Sequence, residues 1–147
     1  MSTLLKCGIV GYGYMGEIRR AVIERHPEIM QLIGICDTNE AIRAKIGGVR
    51  TFGRVEDLLE ANLDILFVCT PNCFSPEICM NALDHGIHVF CEKPPGRDVT
   101  DIKDIISHEK NGVKLMFGFN HRLHPGIVKA KVIVESGRFG RILNLRG

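Results

Sequence analysis

Three glycines near the N-terminus constrain the fold of this chain more than any other feature. The apolar run 6–10 is followed by Gly11, Gly13 and Gly16 in the spacing G-x-G-x-x-G, and a helix-like segment, 17–25, comes directly after them. Gly11 permits a tight turn, Gly13 lets a diphosphate approach the backbone, and Gly16 lets the helix pack closely on the strand. The free N–H groups and the positive dipole end of such a helix favour an anion there. The pattern therefore predicts a dinucleotide-binding strand–helix unit.

The next apolar run, 31–36, ends at Asp37. An acidic residue in this place is positioned to accept hydrogen bonds from the adenosine ribose hydroxyls and to repel a 2′-phosphate. The sequence therefore predicts NAD rather than NADP as the cofactor. Asp37 could also cap the helix expected from residue 39, and the two roles are compatible. An incidental glycine loop is the alternative, but the strand before, the helix after and the acidic residue together favour the nucleotide site.

Composition and charge exclude several other classes of protein. The chain has 147 residues, 24% of them charged and 45% hydrophobic, which is typical of one ordinary globular domain. The formal net charge is +2 and the basic residues are scattered, so no nucleic-acid partner is expected. No apolar stretch approaches the roughly 18 residues of a membrane helix. Residues 1–6 run straight into the first predicted strand, so we expect no signal peptide and a cytoplasmic location.

The six cysteines predict neither disulfides nor a metal site. Four of them fall in or beside predicted core strands, where a cysteine packs as a small hydrophobic residue. These are Cys7, Cys36, Cys69 and Cys91. A C-x-x-C pair is absent from the sequence, and a cytoplasmic protein keeps its thiols reduced. The spacing of His85, His88 and Cys91 resembles that of metal ligands, but His88 and Cys91 would face opposite sides of one strand.

Apolar runs and helical stretches alternate along the chain. The predicted strands are 5–10, 31–36, 51–52, 64–70, 88–91 and 114–119. The predicted helices are 15–26, 39–46, 55–61, one from Ser75 as N-cap to 85–86, and 98–109 with its stop at Asn111 and Gly112. This alternation predicts an α/β protein with a doubly wound parallel sheet, a Rossmann dinucleotide-binding fold, in the strand order 3-2-1-4-5-6.

Ligands of such sheets bind outside the carboxyl ends of the strands, at the switch between the first and fourth strands. The segments that follow the strands are therefore expected to form the site. They are the loop with Gly11, Gly13, Tyr14 and Met15, then Asp37, residues 70–72, residues 92–94 and residues 120–122.

Glu92 and Lys93 lie directly after a buried apolar strand, and Pro94 and Pro95 stiffen the loop that carries them. The positive charge of an oxidised nicotinamide and partial desolvation both favour the neutral form of a neighbouring lysine. Such a lysine can accept a hydroxyl proton while hydride leaves the carbon. The alternative is a solvated loop lysine paired with Glu92, and position alone does not decide between the two.

The C-terminal part departs from the α/β alternation. Residues 125–136 are predicted to form a helix, and residues 141–146 to begin another strand. A terminal strand without a partner would be an exposed edge. We therefore predict a dinucleotide-binding domain at 1–122, followed at 123–147 by a linking helix and the first strand of a truncated substrate domain. The alternative is a seventh strand in the same sheet.

Four short segments carry a family resemblance. They are Gly-Tyr-Gly-Tyr-Met-Gly at 11–16, Cys-Thr-Pro-Asn at 69–72, Cys-Glu-Lys-Pro at 91–94 and Gly-Phe-Asn-His-Arg at 118–122. In this order they resemble the N-terminal half of the glucose–fructose oxidoreductase/inositol dehydrogenase (Gfo/Idh/MocA) family of NAD(P)-dependent sugar dehydrogenases. Residues 137–142 are similar to the family's passage into its second domain.

The resemblance implies a role for each matching residue. Lys93 would be the catalytic lysine that contacts substrate and nicotinamide, Glu92 would lie near the nicotinamide ribose, and Arg122 would contact substrate. The remaining implied residues line the cofactor or the rim of the active site: Thr70, Pro71, Asn72 and Asn120. The chain departs from the family at Ser75, where many members have histidine. Members are also considerably longer, and their second domain supplies a histidine or aspartate acid/base.

The resemblance implies an NAD-dependent oxidoreductase that transfers hydride between nicotinamide and a secondary alcohol of a sugar, polyol or sugar nucleotide. The full-length protein is expected to be a homo-oligomer without a nucleic-acid or membrane partner. Two alternatives are a non-catalytic, redox-sensing NAD-binding module and a reductase of the same fold that acts on another double bond.

Overall fold

A six-stranded parallel sheet forms the centre of the molecule, in the order β3-β2-β1-β4-β5-β6. The computed structural model describes residues 4–110 and 112–146. The strands are β1 Leu5–Val10, β2 Met30–Cys36, β3 Arg50–Phe52, β4 Ile65–Val68, β5 His88–Cys91 and β6 Leu115–Phe117. The predicted fold class and strand order are both confirmed.

Helices connect the strands on both faces of the sheet. They are α1 Tyr14–Arg25, α2 Glu40–Arg43, α3 Val55–Leu59, α4 Ser75–Asp84 and α5 Val99–Ser107. A 3₁₀ turn, Asn120–Leu123, then leads into α6 Pro125–Glu135. Most elements are shorter than predicted, α2 above all. The expected stop of α5 at Asn111 lies outside the described residues.

Alternation of side chains along the strands divides the core into two layers. Cys7 and Ile9 of β1 are fully buried with Ile23 of α1 on one face. Val10 belongs to the other face, where the helices α3, α4 and α5 contribute Leu58, Leu83 and other buried side chains. Successive residues of a strand point to opposite faces, so a strand covered on both sides is apolar throughout. This explains why the strands occur as continuous apolar runs in the sequence.

The strand order reverses between β1 and β4, and this opens a crevice at the carboxyl edge of the sheet. The chain leaves β1 toward β2 and β3, whereas it leaves β4 toward β5 and β6. Two backbone hydrogen bonds fix the edge there: Gly11 N–H donates to the Cys36 carbonyl over 2.8 Å, and Cys69 N–H donates to the Val10 carbonyl over 2.8 Å. The segments predicted to form the site therefore begin from a rigid base.

The start of α4 differs from the sequence prediction. The N-cap is Phe74, and Ser75 is the first helical residue with Pro76 after it. The Ser75 hydroxyl donates back to the carbonyls of Thr70 and Pro71, each over 3.2 Å, so it is unavailable to cap the helix. Asp98, predicted as the first residue of α5, is instead its N-cap, since its side chain accepts from the Thr100 and Asp101 amides.

The C-terminal part packs little against the sheet. Every residue of α6 is exposed, and its main packing partner is the 3₁₀ turn before it. The strand predicted over 141–146 is not formed, because no strand among the described residues lies beside it to supply hydrogen bonds. Leu143 and Leu145 are 85% and 89% exposed. Among the described residues, no helix has the length and apolar character needed to cross a membrane.

Candidate functional site

The glycine turn between β1 and α1 is closely packed at two of its glycines and open at the third. Gly11 has φ +85°, and a Cβ atom there would lie 2.7 Å from the Cys69 carbonyl oxygen. A Cβ atom at Gly16 would overlap the Gly11 carbonyl oxygen. At Gly13 it would meet no described heavy atom within 4 Å. The turn at Gly11 is confirmed, and Gly16 packs closely on that turn rather than on the strand itself, whereas the ligand-facing role of Gly13 stays a prediction.

The N-terminus of α1 begins directly at this open position. Gly13 is the N-cap residue and provides no side chain to accept a hydrogen bond from the first turn. The first amides of an α-helix have no partner within the helix, and the helix dipole places partial positive charge there. Tyr14, the first residue of the helix, is 78% exposed. The start of α1 therefore offers both space and donors to an anion.

Asp37 joins the glycine turn, the segment that follows β2 and the end of β3. Its carboxylate accepts from the Tyr12 amide over 2.8 Å and from the Asn39 amide over 2.8 Å. Its own amide donates to the Phe52 carbonyl over 3.1 Å, and its carbonyl accepts from Arg43 over 2.6 Å. The cap of α2 is Asn39, not Asp37. Asp37 thus fixes the glycine turn as well as standing where a ribose-binding carboxylate was predicted.

The Thr-Pro-Asn turn after β4 closes the crevice on its other side. The hydroxyls of Thr70 and Ser75 are 3.0 Å apart, and Ser75 is buried. The side-chain amide of Asn72 donates from Nδ2 to the Gly96 carbonyl over 3.3 Å, which links this turn to the loop after β5. Pro71 is exposed at the tip. Ser75 therefore stabilises the turn from its buried side and does not face the crevice.

A cavity of about 530 Å³ lies at the carboxyl ends of β5 and β6. Its lining includes five of the predicted site residues: Met15, Glu92, Lys93, Asn120 and Arg122. Gly118, Phe119 and His121 complete the lining. Lys93 is exposed and precedes a cis peptide bond to Pro94. The structure thus brings a lysine, an arginine and a carboxylate together beside the start of α1.

Glu92 is paired with Arg19 of α1. The pairing of Glu92 with Lys93, which was one of the two alternatives from the sequence, is not formed. One carboxylate oxygen, Oε1, accepts from both Nε, over 2.8 Å, and Nη2 of Arg19. The Arg19 guanidinium also lies over the Phe90 ring, 4.5 Å from its centroid. The side chains of Arg19 and Glu92 are 14% and 7% exposed. Lys93 is consequently left without a carboxylate partner among the described residues.

Burial favours the protonated form of three thiols near the sheet. Desolvation by burial, with a smaller contribution from the Glu92 charge, raises the pKa of Cys69 to about 12. Burial likewise raises the pKa of Cys7 and of Cys36 to about 11. A thiol is nucleophilic as the thiolate, so these groups do not serve as nucleophiles at neutral pH. No cluster of three or more metal-ligating side chains occurs in the part of the chain that the structure describes.

Sequence reasoning missed some residues of the site. Gly118 and Phe119 were assigned to the sixth strand, but that strand ends at Phe117 and both residues line the cavity. Arg19 was expected only as part of a helix. Its spacing after the glycines, at the third position beyond Gly16, was the available signal, because that position lies one turn along the face of α1 that begins at the crevice.

The profile of a family described as "Oxidoreductase family, NAD-binding Rossmann fold" (GFO_IDH_MocA) matches residues 5–119. An uncharacterized oxidoreductase, YrbE, of Bacillus subtilis is 30% identical over 95% of this chain and 42% of its own length. Inositol 2-dehydrogenase of Corynebacterium glutamicum is 30% identical over 100% of this chain and 46% of its own length. The chain therefore spans less than half the length of these curated relatives.

Two solved structures resemble the fold closely. WlbA dehydrogenase from Bordetella pertussis, in complex with NADH and UDP-GlcNAcA, has a TM-score of 0.87 and 31% identity, over 95% of this chain and 44% of that one. Scyllo-inositol dehydrogenase from Lactobacillus casei, with bound NAD(H) and scyllo-inositol, has a TM-score of 0.83 and 29% identity, over 95% of this chain and 43% of that one.

Proposed function

The chain belongs to the oxidoreductase family with an NAD-binding Rossmann fold (Gfo/Idh/MocA), and from this membership we propose that it is the dinucleotide-binding part of a sugar or polyol dehydrogenase. The proposed reaction transfers hydride between nicotinamide and a secondary alcohol of a sugar, polyol or sugar nucleotide. The observation that carries the proposal is the open position at Gly13, at the start of α1, beside a cavity that contains Lys93.

The residues at the crevice fit an NAD cofactor. A diphosphate would have room over Gly13 and would accept from the first amides of α1, and the carboxylate of Asp37 would accept from the adenosine ribose hydroxyls. Thr70, Pro71 and Asn72 would border the cofactor from the β4 side, with Tyr14 and Met15 on the helix side. The cofactor, when bound, supplies the hydride acceptor or donor.

Within the cavity, Lys93 is proposed as the residue that moves the hydroxyl proton. It has no carboxylate partner among the described residues, so its amine is available to a substrate hydroxyl. Asn120 and Arg122, from the 3₁₀ turn after β6, would orient the substrate and cofactor at the rim. Phe119 lies beside them and would exclude water from one side of the cavity.

The substrate class rests on the relatives. Those named above include inositol dehydrogenases and a dehydrogenase bound to UDP-GlcNAcA. The described lining combines Lys93 and Arg122 with a carboxylate that Arg19 already neutralises. This lining suits hydroxyl-rich ligands, and it tolerates an acidic sugar.

We propose the domain division 1–122 and 123–147, with α6 and the residues after it leading into a substrate domain. The support is that α6 is exposed along its whole length and carries apolar side chains such as Ile127 and Val132. The same apolar surface supports a homo-oligomer of the full-length protein. All six cysteines are free thiols, which supports a cytoplasmic location.

The test combines binding and turnover. Fluorescence titration of the 147-residue chain with NADH should show weak binding, and the chain should give little or no turnover with myo-inositol, levoglucosan or a UDP-linked sugar acid. Positioning of the reacting carbon accounts for several kcal/mol of a barrier, and we expect the substrate domain to supply it. Protein from a longer reading frame should reduce NAD with at least one of these substrates.

Lys93→Met in that longer protein should lower kcat by about 100-fold or more, because general acid–base catalysis contributes a factor of this size. Lys103→Met is the matched control, since Lys103 is an exposed lysine of α5 away from the cavity. An unchanged kcat in Lys93→Met would show that Lys93 is not the proton-transfer residue. Absence of NADH binding in the unmodified chain would contradict the proposal as a whole.

A further inference from the structure

We propose that the Arg19–Glu92 pair sets the relative affinity of this site for oxidised and reduced cofactor. The inference rests on the proposed function, because it requires the nicotinamide end of the cofactor to occupy the cavity beside Glu92. Oxidised nicotinamide carries a positive charge and reduced nicotinamide does not. Any charge that faces the ring therefore changes the binding of NAD⁺ and NADH unequally.

The two oxygens of the Glu92 carboxylate have different surroundings. Oε1 accepts both hydrogen bonds from Arg19, which is not among the residues that line the cavity. Oε2 accepts no hydrogen bond from any described residue, and it is the atom that a Cβ at Gly118 would approach to 2.8 Å. Glu92 and Gly118 both line the cavity. No fully buried side-chain oxygen or nitrogen among the described residues lacks a hydrogen-bond partner, so Oε2, which has none, keeps some exposed surface on a residue that lines the cavity.

Arg19 is held as firmly as the carboxylate that it neutralises. Its guanidinium is fixed by Glu92 on one edge and by the Phe90 ring, 4.5 Å from Cζ, on one face. Phe90 packs in turn on Phe67 of β4, with 5.7 Å between ring centroids. Only 14% of the Arg19 side chain is exposed, so solvent screens the pair weakly. Arg19 is therefore a positioning residue that acts on the cofactor through Glu92.

The charges of the pair cancel, and this cancellation has a consequence for each partner. Removing the Glu92 charge leaves the Arg19 cation behind the nicotinamide, which disfavours NAD⁺ relative to NADH. Removing the Arg19 charge leaves the Glu92 carboxylate alone, which favours NAD⁺. Removing both charges restores neutrality. A fixed unit charge within several ångströms, in the effective dielectric of a protein edge, changes the ratio of the two dissociation constants by about three- to tenfold.

The experiment is a double-mutant cycle on the 147-residue chain at pH 8. The Kd of NADH is measured by its fluorescence, and that of NAD⁺ by competition against NADH. Glu92→Gln should raise the ratio Kd(NAD⁺)/Kd(NADH) by about three- to tenfold, and Arg19→Met should lower it by a similar factor. The double variant should return within about twofold of the unmodified ratio, since its interactions with the cofactor are again those of a neutral pair.

Glu24→Gln is the matched control. Glu24 is an exposed carboxylate on the same helix, paired with Arg20 at 2.6 Å, so its loss should leave the ratio unchanged. If one single variant fails to fold, the other single variant and the double variant still decide the outcome. Equal ratios in the single and unmodified proteins, or a double variant that keeps a single variant's ratio, would overturn the inference. Failure of the unmodified chain to bind either cofactor would instead count against the proposed function.

Discussion

The contrast between Gly13 and Gly16 gives the sharpest test of the proposed diphosphate site. Both glycines belong to the same turn, yet a Cβ atom would have free space at Gly13 and would overlap the Gly11 carbonyl oxygen at Gly16. Alanine at residue 13 should therefore leave the fold intact and weaken dinucleotide binding. Alanine at residue 16 should first of all lower the stability of the fold, because it damages the packing of α1 on the turn.

The expected magnitudes follow from these surroundings. Gly13 is the N-cap of α1 with φ −86°, a conformation that alanine adopts readily. A weaker N-cap and a less flexible unfolded chain then roughly cancel, so Gly13→Ala should change the free energy of unfolding by less than about 0.5 kcal/mol. Loss of one charge-assisted hydrogen bond to a diphosphate costs about 1.5–3 kcal/mol, which raises the Kd of NADH roughly 10- to 150-fold.

Gly16→Ala should destabilise the protein by about 0.5–2 kcal/mol. Overpacking costs about 1–3 kcal/mol, and the better helix propensity of alanine returns up to about 1 kcal/mol. Urea denaturation followed by far-UV circular dichroism measures the stability of both variants, and NADH fluorescence measures their binding. A folded Gly13→Ala variant that binds NADH normally would refute the placement of the diphosphate. A stability loss at residue 13 as large as that at residue 16 would refute the steric argument.

Three further predictions concern other parts of the molecule. The unmodified chain should bind NAD more tightly than NADP. In paired titrations Asp37→Ser should narrow that preference by about tenfold, because it removes a charge that repels a 2′-phosphate. Equal or tighter binding of NADP by the unmodified chain would contradict this role of Asp37. Hydrogen bonds from Arg97 lower the pKa of Asp101 to about 2. Asp101→Asn should therefore lower the free energy of unfolding by its full amount at pH 7, and this difference from the unmodified protein should disappear as the pH falls from about 4 toward 2. Urea titrations at each pH measure it. Asp104→Asn, an exposed change on the same helix, should show no such dependence. Deletion of residues 139–147 should reduce self-association in light scattering, and an unchanged association state would show that another surface is responsible.

The order of the sheet could be predicted because each strand covered on both faces occurs as an apolar run, and right-handed crossovers leave few ways to arrange six such runs. The same reasoning placed Lys93 and Arg122 at one edge, since each lies in the segment that follows a strand. Element ends were predicted less well. Phenylalanine is favoured in strands, which is why Phe119 was predicted to belong to one. However, β6 ends at Phe117 because its hydrogen bonds depend on the length of β5.

Side-chain pairing could not be derived from the sequence. Glu92 precedes Lys93, and adjacency suggested an ion pair between them. Arg19, 73 positions away along the chain, pairs with Glu92 instead, because the sheet brings the end of β5 against α1. Serine is favoured at the N-cap of a helix, but the Ser75 hydroxyl donates instead to two carbonyls of the preceding turn. In both cases a contact formed in the folded protein overrides a local preference, and the local sequence does not indicate that contact.

The exposure of α6 has a consequence for the local stability of its backbone. An isolated helix shorter than about 12–15 residues is mostly unfolded in water, and α6 has 11 residues with the 3₁₀ turn as its main packing partner. Its amide hydrogens should therefore exchange with deuterium far faster than those of β1 and β4, whose exchange requires opening of the whole sheet. Any surface that covers α6 would slow its exchange residue by residue, so the pattern of protection along Ile127–Val134 would map the face that is covered.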